Sequence, residues 1–191
     1  MRINNPIIPY DGPIQGGLKP GMTVYFKGTV NHNITRFHIN LQAHCDRTMH
    51  FNPRFKPEQV VVFNTFRHRR WECEERVQKV PFTPGESFEV LFAVTCEGYQ
   101  VVVNGAPFYL FKHRIPVQRV TGLQIGGDVS METVIIGEGG VQICPPPKQV
   151  LGGEMSKICS GHGPIMVSTN MLALNSTLAG TVMSAGFDGQ I

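Results

Sequence analysis

Short runs of β-branched and aromatic residues alternate with turn signals at regular intervals along most of this chain. No long stretch repeats its apolar residues at the three- and four-residue spacing that an amphipathic helix requires. Many short strands joined by tight turns are typical of two antiparallel sheets packed face to face. The sequence therefore predicts an all-β fold, a two-sheet antiparallel β-sandwich.

Within this pattern, the turn Asn104-Gly105 is the clearest hairpin signal, because both residue types readily adopt the positive backbone angles of a tight hairpin. Residues 88–94 are nearly continuous in apolar side chains, which predicts a central strand that is covered on both faces. The predicted strands are residues 22–28, 36–41, 49–55, 60–64, 72–77, 87–95, 99–103, 106–112 and 120–125, with a closing strand near Thr133.

A change in composition after about Gly137 predicts a domain boundary. The chain has 191 residues, of which 41% are hydrophobic, so it can bury one good core and at most a second, weak one. Residues 5–137 carry the strand pattern and form the predicted domain. Residues 138–191 are rich in Gly, Pro and Ser, and they are predicted to be a loosely ordered tail, a truncated linker or part of a second unit.

Charge and hydropathy exclude two classes of partner. The formal net charge of +3 and the pI of about 8.7 are far from the dense positive stripe of a nucleic-acid-binding protein. Residues 165–187 contain no charged side chain, but polar residues interrupt them often, so no membrane span is predicted. We therefore expect neither nucleic-acid binding nor membrane insertion.

The five cysteines are odd in number and include no C-x-x-C pair, which argues against a disulfide framework and against a structural zinc site. We expect reduced thiols, no metal and no cofactor. The N-terminal residues lack the charged region and the sustained apolar stretch of a secretory signal. The predicted place of synthesis is therefore the cytoplasm.

Alternation along one predicted strand separates a polar face from an apolar one. His50, Asn52 and Arg54 occupy even positions, whereas Phe51 and Phe55 occupy odd ones. Because the side chains of a strand alternate between the two faces of a sheet, the polar residues share one surface while the phenylalanines point into a core. The polar triad by itself fits an ordinary solvated face equally well.

Further along the chain, Asn64 ends an apolar strand, and Trp71, the only tryptophan, is followed by Glu74 and Arg76. Taken singly, these residues fit a turn, a rim aromatic and a surface ion pair of small worth. Combined with the triad, they supply hydrogen-bond donors and acceptors, a guanidinium fork and an aromatic plane, which is the chemistry needed to hold a sugar. The candidate binding residues are His50, Asn52, Arg54, Asn64, Trp71, Glu74 and Arg76.

The spacing of the last three candidates carries a geometric requirement. Glu74 and Arg76 have the same parity along a strand and can pair with each other, whereas Trp71 has the opposite parity. A bend or bulge is therefore predicted between Trp71 and Glu74 if all three side chains face one ligand.

The pattern H-x-N-x-R at His50, an asparagine at position 64 and W-x-x-E-x-R at Trp71 resemble the galectins, a family of metal-independent β-galactoside-binding lectins. The resemblance covers roughly residues 5–137. The segments PIQGGLKPGM, PFTPGESFEVLF, VVVNGAPFYLFKHRIP and VTGLQIGGDV are similar to the N-terminal domain of tandem-repeat galectins. The resemblance implies a jelly-roll sandwich that needs no cofactor. It also implies that the partners of the protein are β-galactoside glycans on glycoproteins or glycolipids.

The resemblance also implies how galactose is selected. His50, Asn52 and Arg54 would hydrogen-bond the axial 4-hydroxyl, and a sugar that lacks this group in the axial position would leave them unpaired. The apolar face of the galactose ring would lie on the Trp71 side chain, whose large area costs little rotamer freedom to order.

For the remaining contacts, the resemblance assigns the 6-hydroxyl to Asn64 and Glu74. The next sugar of lactose or N-acetyllactosamine would be reached by charge-assisted hydrogen bonds from Arg54, Glu74 and Arg76. Galectins are typically made in the cytoplasm and leave cells without a signal peptide, so an extracellular location is also implied.

Two alternatives to a lectin remain. A glycoside hydrolase needs two carboxyl groups that flank one bond, but Glu74 and Glu75 are adjacent and face opposite ways. Glu72 and Glu74 share a face, yet Arg76 would hold Glu74 ionised, which is the wrong state for a general acid. We therefore predict that the chain is not an enzyme. A galectin-like scaffold that binds proteins and no sugar is the second alternative.

Two departures from the family pattern affect what the site can do. The loop of residues 42–48 is shorter than the corresponding loop in most galectins, so the resemblance does not determine the binding subsites beyond galactose. The tail holds no second copy of either motif, so cross-linking of glycans would require a homodimer or an oligomer. The basic residues 67–70 also suggest a preference for sulfated or sialylated glycans.

Overall fold

The structure, a computed structural model, describes residues 1–139. These residues form thirteen strands and one short 3-10 turn at Val117–Arg119. The strands are β1 (Arg2–Asn4), β2 (Tyr10–Pro13), β3 (Met22–Val30), β4 (Phe37–Ala43), β5 (Asp46–Arg54), β6 (Val60–Arg67), β7 (Arg70–Trp71), β8 (Glu75–Val77), β9 (Ser87–Val94), β10 (Gly98–Val103), β11 (Ala106–Lys112), β12 (Gly122–Gly127) and β13 (Val129–Glu138).

The strands form two antiparallel sheets. The back sheet has the order β1-β13-β3-β9-β10-β11, and the front sheet has the order β2-β12-β4-β5-β6-β7, with β8 also paired to β6. Apolar side chains from both sheets form one buried core. This architecture confirms the predicted two-sheet antiparallel β-sandwich.

Aromatic side chains fill the space between the sheets. Phe51 on β5 and Phe92 on β9 are fully buried, and their ring centroids lie 5.6 Å apart. Phe37 on β4 and Phe63 on β6 are also fully buried, so the three central strands of the front sheet each place an aromatic ring inward. A shift of β5 by one residue would expose Phe51 and bury its polar neighbours, and the core therefore fixes the register of this strand.

Two strands at the edges of the sheets, β1 and β2, are not predicted by the sequence analysis. β1 has three residues, and β2 has four, including Gly12 and Pro13, which normally indicate a turn. Both strands are held by partners that are distant in sequence, since β1 pairs with β13 and β2 pairs with β12. Local pattern carries no signal for such pairing.

Strand β9 corrects one expectation. It lies inside the back sheet between β3 and β10, and Phe88, Val90 and Phe92 are buried, but Ser87 and Glu89 are exposed. Within the described residues only one face of β9 is therefore covered. The near-continuous apolar run reflects half-buried outer positions in a central strand, not a second covered face.

The predicted domain of residues 5–137 falls within the described part of the chain, and its boundary stays a prediction. From residue 140 onward, the predicted tail of residues 138–191 lies outside the described residues. Among residues 1–139, no helix has the length and apolar character needed to cross a membrane.

The cysteines correct a further expectation. Cys45 and Cys73 are exposed free thiols, as predicted. Cys96, however, is disulfide-bonded, so the prediction of reduced thiols is wrong for this residue. An odd number of cysteines argues against a complete framework but does not prevent a single pair.

We expect Phe51→Ala to lower the free energy of unfolding by about 3–5 kcal/mol, because the substitution leaves a cavity between the two sheets. Urea denaturation followed by circular dichroism measures this loss. Phe55→Ala is the matched control, since Phe55 is only partly buried against the same core. A loss for Phe51→Ala no larger than that for Phe55→Ala would contradict the role assigned to Phe51.

Candidate functional site

The outer face of the front sheet carries a cavity of about 390 Å³. The structure brings six of the seven predicted residues together in its lining: His50, Asn52, Arg54, Asn64, Trp71 and Glu74. The seventh, Arg76, lies beside the cavity and contacts Glu74. Residues that are distant in sequence therefore converge at one place, as the polar pattern predicts.

On β5, the side chain of Asn52 is 4% exposed and both ends of its amide are engaged. Its Nδ2 donates to the carbonyl oxygen of Phe37 at 2.6 Å, and its Oδ1 accepts from Nε of Arg54 at 2.8 Å. Asn52 thus acts first as a support that orients the Arg54 guanidinium toward the cavity.

Glu74 holds two arginines at once. Its Oε1 accepts from Nη2 of Arg54 at 3.1 Å, and its Oε2 accepts from Nη1 of Arg76 at 2.9 Å. Arg76 also donates to Glu58. These groups are partly exposed, so the ion pairs add little stability, but they fix the relative positions of two guanidinium groups. The predicted pairing of Glu74 with Arg76 is confirmed.

The predicted bend or bulge is present, because the predicted strand of residues 72–77 is interrupted: β7 ends at Trp71 and pairing with β6 resumes at Glu75. Trp71 on β7 pairs with Phe66, and Glu75 on β8 pairs with Phe63. The chain therefore advances four residues from β7 to β8 while β6 advances three. The extra residue reverses the parity. This irregularity lets Trp71 and Glu74 line the same cavity.

The Trp71 ring is held by its neighbours but stays accessible. It packs edge-on against Phe66 at a centroid distance of 5.2 Å, and the His50 ring lies 4.7 Å away. The Arg47 guanidinium lies 5.8 Å from the Trp71 centroid. Trp71 nevertheless remains 47% exposed, which leaves a large aromatic surface for a ligand.

Asn64 is buried, and protein contacts use most of its amide. Its Oδ1 accepts from the backbone N–H of Thr65 at 2.7 Å and from Nη1 of Arg114 at 3.1 Å. Its Nδ2 donates one hydrogen to the carbonyl oxygen of Glu72 at 2.9 Å. Because an amide nitrogen carries two hydrogens, Asn64 retains one N–H for a ligand and acts there as a donor.

Arg114 is a supporting residue that the sequence analysis missed. Besides Asn64, it contacts Glu75, with 2.7 Å between Nη2 and Oε1. The Tyr109 hydroxyl donates to the other oxygen of Glu75 at 2.7 Å, and burial together with this carboxylate raises the pKa of Tyr109. Arg114 follows β11 of the back sheet, so only the packing of the two sheets brings it to Asn64.

Arg36 and His38 also line the cavity without having been predicted. A signal for them was present, because they have the same parity as Asn40 in the predicted strand of residues 36–41. Asn40 pairs with His50 in the sheet, so the even positions of β4 and β5 share one face.

Both cavity histidines are held neutral at pH 7. Burial is the largest cause that lowers the pKa of His50 from 6.5 to about 3, together with repulsion from Arg54 and from His38 whenever that ring is protonated, against an opposing hydrogen bond with Asn52. Burial also lowers the pKa of His38, with added repulsion from Arg47 and Arg36. A neutral imidazole can either donate or accept at each nitrogen, according to its tautomer.

Among residues 1–139, no group of three or more His, Cys, Asp or Glu side chains is arranged to hold a metal ion. The cavity groups available to a ligand are thus hydrogen-bonding side chains, guanidinium groups and an aromatic ring.

Comparison with known proteins gives consistent matches. The family model for galactoside-binding lectins matches residues 9–136. Galectin-4 of Rattus norvegicus is 45% identical over 134 residues, which cover 68% of this chain and 41% of the relative. Galectin-6 of Mus musculus is 47% identical over 134 residues, which cover 68% and 44%. The chain therefore spans less than half the length of these relatives.

A shorter relative is matched nearly throughout. Galectin-7 of Homo sapiens is 38% identical over 133 residues, which cover 68% of this chain and 97% of the relative. Among solved structures, Caenorhabditis elegans galectin LEC-6 has a TM-score of 0.67 and 29% identity, covering 72% of this chain and 96% of that chain. The range that the family model matches, residues 9–136, lies within the part of the chain that forms the two sheets.

We expect the free energy of unfolding to fall as the pH is lowered from about 6.5 toward 3, because His50 takes up a proton readily only when the chain unfolds. The unfolded state then binds more protons, so its stability rises relative to the folded state. Urea denaturation between pH 7 and pH 4 measures the slope, which should be smaller in His50→Gln. The exposed His32→Gln is the control, and an equal slope in both variants would contradict this assignment.

Proposed function

Since the chain belongs to the galectins, the family of galactoside-binding lectins, we propose that its front-sheet cavity binds the galactose of lactose-type glycans. Membership confirms the family resemblance and the prediction of a carbohydrate-binding module instead of an enzyme. It does not favour the alternative of a protein-binding scaffold without sugar. The observation that carries the proposal is an exposed tryptophan beside a row of oriented polar groups in one cavity.

The 4-hydroxyl of galactose is the group that this cavity would select. Arg54 is oriented by Asn52 and Glu74 and carries more N–H groups than these contacts use. His50 lies in the lining next to it. An equatorial hydroxyl, as in glucose, would leave these groups desolvated and unpaired, which costs more than a missing attraction.

The Trp71 ring would support the apolar face of the sugar. Its position is set by Phe66, His50 and Arg47 before any ligand arrives. Little conformational entropy is then lost on binding, and the contact area is large. The ring would therefore add affinity, while the hydrogen-bonding groups add selectivity.

The remaining contacts would extend from galactose to the next sugar. The free N–H of Asn64 could donate to the oxygen of the 6-hydroxyl, and the Glu74 carboxylate could accept the hydrogen of that hydroxyl. Arg54 and Arg76, which share the Glu74 carboxylate, would donate charge-assisted hydrogen bonds to the neighbouring ring. This division follows the assignment that the family motif implies.

We also propose that the physiological partners are β-galactoside glycans on glycoproteins or glycolipids. The described residues contain one such cavity motif, so cross-linking of glycans would need self-association, as a homodimer or an oligomer. Cytoplasmic synthesis and export without a signal peptide stay predictions.

Calorimetry with lactose should register binding, and cellobiose, which presents glucose in place of galactose, should bind far more weakly. Trp71→Ala and Arg54→Ala should each weaken lactose binding by at least about tenfold, about 1.4 kcal/mol. The single tryptophan allows the same titration to be followed by fluorescence.

Arg70→Ala is the matched control, because Arg70 precedes Trp71 and is exposed but does not line the cavity. Its affinity for lactose should equal that of the unmodified chain. Folded protein that gives no heat with lactose or N-acetyllactosamine would refute the proposed function.

A further inference from the structure

A row of four polar side chains crosses the front sheet and ends at His50. Asp11 on β2 is the register partner of Gln124 on β12, and Gln124 is the partner of Asn40 on β4. Asn40 is in turn the partner of His50 on β5. Directly opposite residues of antiparallel strands project from the same face, so the four side chains form one continuous line.

Hydrogen bonds connect every neighbouring pair in this row. Nε2 of Gln124 donates to Oδ2 of Asp11 at 3.0 Å, and Nδ2 of Asn40 donates to Oε1 of Gln124 at 2.7 Å. The last link joins Oδ1 of Asn40 to Nδ1 of His50 at 2.6 Å.

The carboxylate at the far end gives the row a direction. An ionised carboxylate can only accept hydrogen bonds, so Gln124 must turn its NH₂ group toward Asp11 and its oxygen toward Asn40. Asn40 must then turn its own NH₂ group toward Gln124, which leaves its oxygen facing His50. Because an amide oxygen only accepts, the hydrogen of this last bond must reside on Nδ1 of the imidazole.

We propose that Asp11, Gln124 and Asn40 are positioning residues that hold His50 in the Nδ1–H tautomer. His50 Nε2 is then unprotonated and accepts a hydrogen bond from a ligand hydroxyl in the cavity. This inference rests on the proposed function and adds to it the direction of one hydrogen bond and the residues that set that direction.

Burial explains how an exposed carboxylate can act on a distant ring. Asp11 is exposed, so its hydrogen bond adds little to the stability of the fold, but it needs only to favour one orientation of the Gln124 amide over the other. Asn40, however, is 2% exposed, so water cannot rescue its amide if it is reversed. A flip of Asn40 alone would place its oxygen against the oxygen of Gln124 and its NH₂ group against the N–H of His50. The side chains of the row must therefore reverse together or not at all.

The imidazole has a second neighbour that could compete for the proton. Asn52 interacts favourably with the charged form of His50, but its Oδ1 already accepts from Nε of Arg54 and its Nδ2 donates to Phe37. A neutral ring carries a single N–H. The row therefore gives that hydrogen a better-defined acceptor on the Asn40 side.

For a sugar, this tautomer makes the 4-position selective for a hydroxyl that can donate. The hydroxyl hydrogen would go to Nε2 of His50, while its oxygen would accept from the Arg54 guanidinium. The 4-substituent of a 4-fluoro or 4-O-methyl galactoside can accept a hydrogen bond but cannot donate one. Either analogue should therefore bind the cavity at least about tenfold more weakly than the parent sugar.

The test reverses the row from its far end in the full chain. In Asp11→Lys, the ammonium group can only donate, so Gln124 and Asn40 should flip and His50 should move to the Nε2–H tautomer. Position 11 lies three strands from His50, roughly 14 Å away, and the substitution leaves the cavity lining unchanged. Glu97→Lys makes the same change of charge at an exposed turn of the back sheet and is the control.

Nitrogen-15 spectra of the ligand-free protein at pH 7 provide the readout, because protonated and unprotonated ring nitrogens have well-separated shifts. The His50 signals among the seven histidines are identified by their loss in His50→Gln. We expect Nδ1–H in the unmodified chain and in Glu97→Lys, and a shift toward Nε2–H in folded Asp11→Lys. Nε2–H in the unmodified chain, or an unchanged tautomer in Asp11→Lys, would overturn the proposal.

Binding measurements on the same variants distinguish a failure of this proposal from a failure of the proposed function. The preference for the parent sugar over its 4-fluoro analogue should narrow in Asp11→Lys and persist in Glu97→Lys. If lactose fails to bind the unmodified chain, the lectin site is refuted, but the nitrogen-15 readout still tests the tautomer. If lactose binds and the preference is the same in both variants, the role of the row in selectivity is refuted.

Discussion

The register of β5 is the constraint on which the rest of the structure depends. Phe51 is fully buried against Phe92 of the opposite sheet, and its neighbours His50 and Asn52 consequently face the cavity. The hydrophobic energy of the core thereby positions groups that add little to stability themselves. Core packing and the lining of the cavity therefore lie on opposite faces of one strand.

Rigidity of the cavity comes from amides that the protein has already engaged. Asn52, Asn64 and Asn40 each bond to the protein through both their oxygen and their nitrogen. Contacts within the protein therefore hold each of these amides in one orientation. Such preorganisation lowers the entropic cost of binding and sharpens the difference between ligands that match and those that do not.

How much of this could be predicted depends on the range of the interactions involved. Alternation is local, so the shared face of His50 and Asn52 follows from parity alone, and the bend or bulge after Trp71 follows from parity once Trp71 and Glu74 are required to face one ligand. Arg114 and Gln124 reach the site only through pairing and sheet packing between segments that are distant in sequence. The same limitation explains β2, whose Gly12 and Pro13 indicate a turn until β12 supplies a partner.

The irregular segment after Trp71 also contains Cys73, an exposed free thiol that directly precedes the cavity residue Glu74 in the sequence. Thiols react selectively with maleimide dyes, and an environment-sensitive fluorophore attached there would lie two residues from Trp71 along the chain. With Cys45, the other exposed thiol of the described residues, replaced by serine, such a dye would give the proposed sugar site an optical readout that needs no labelled sugar.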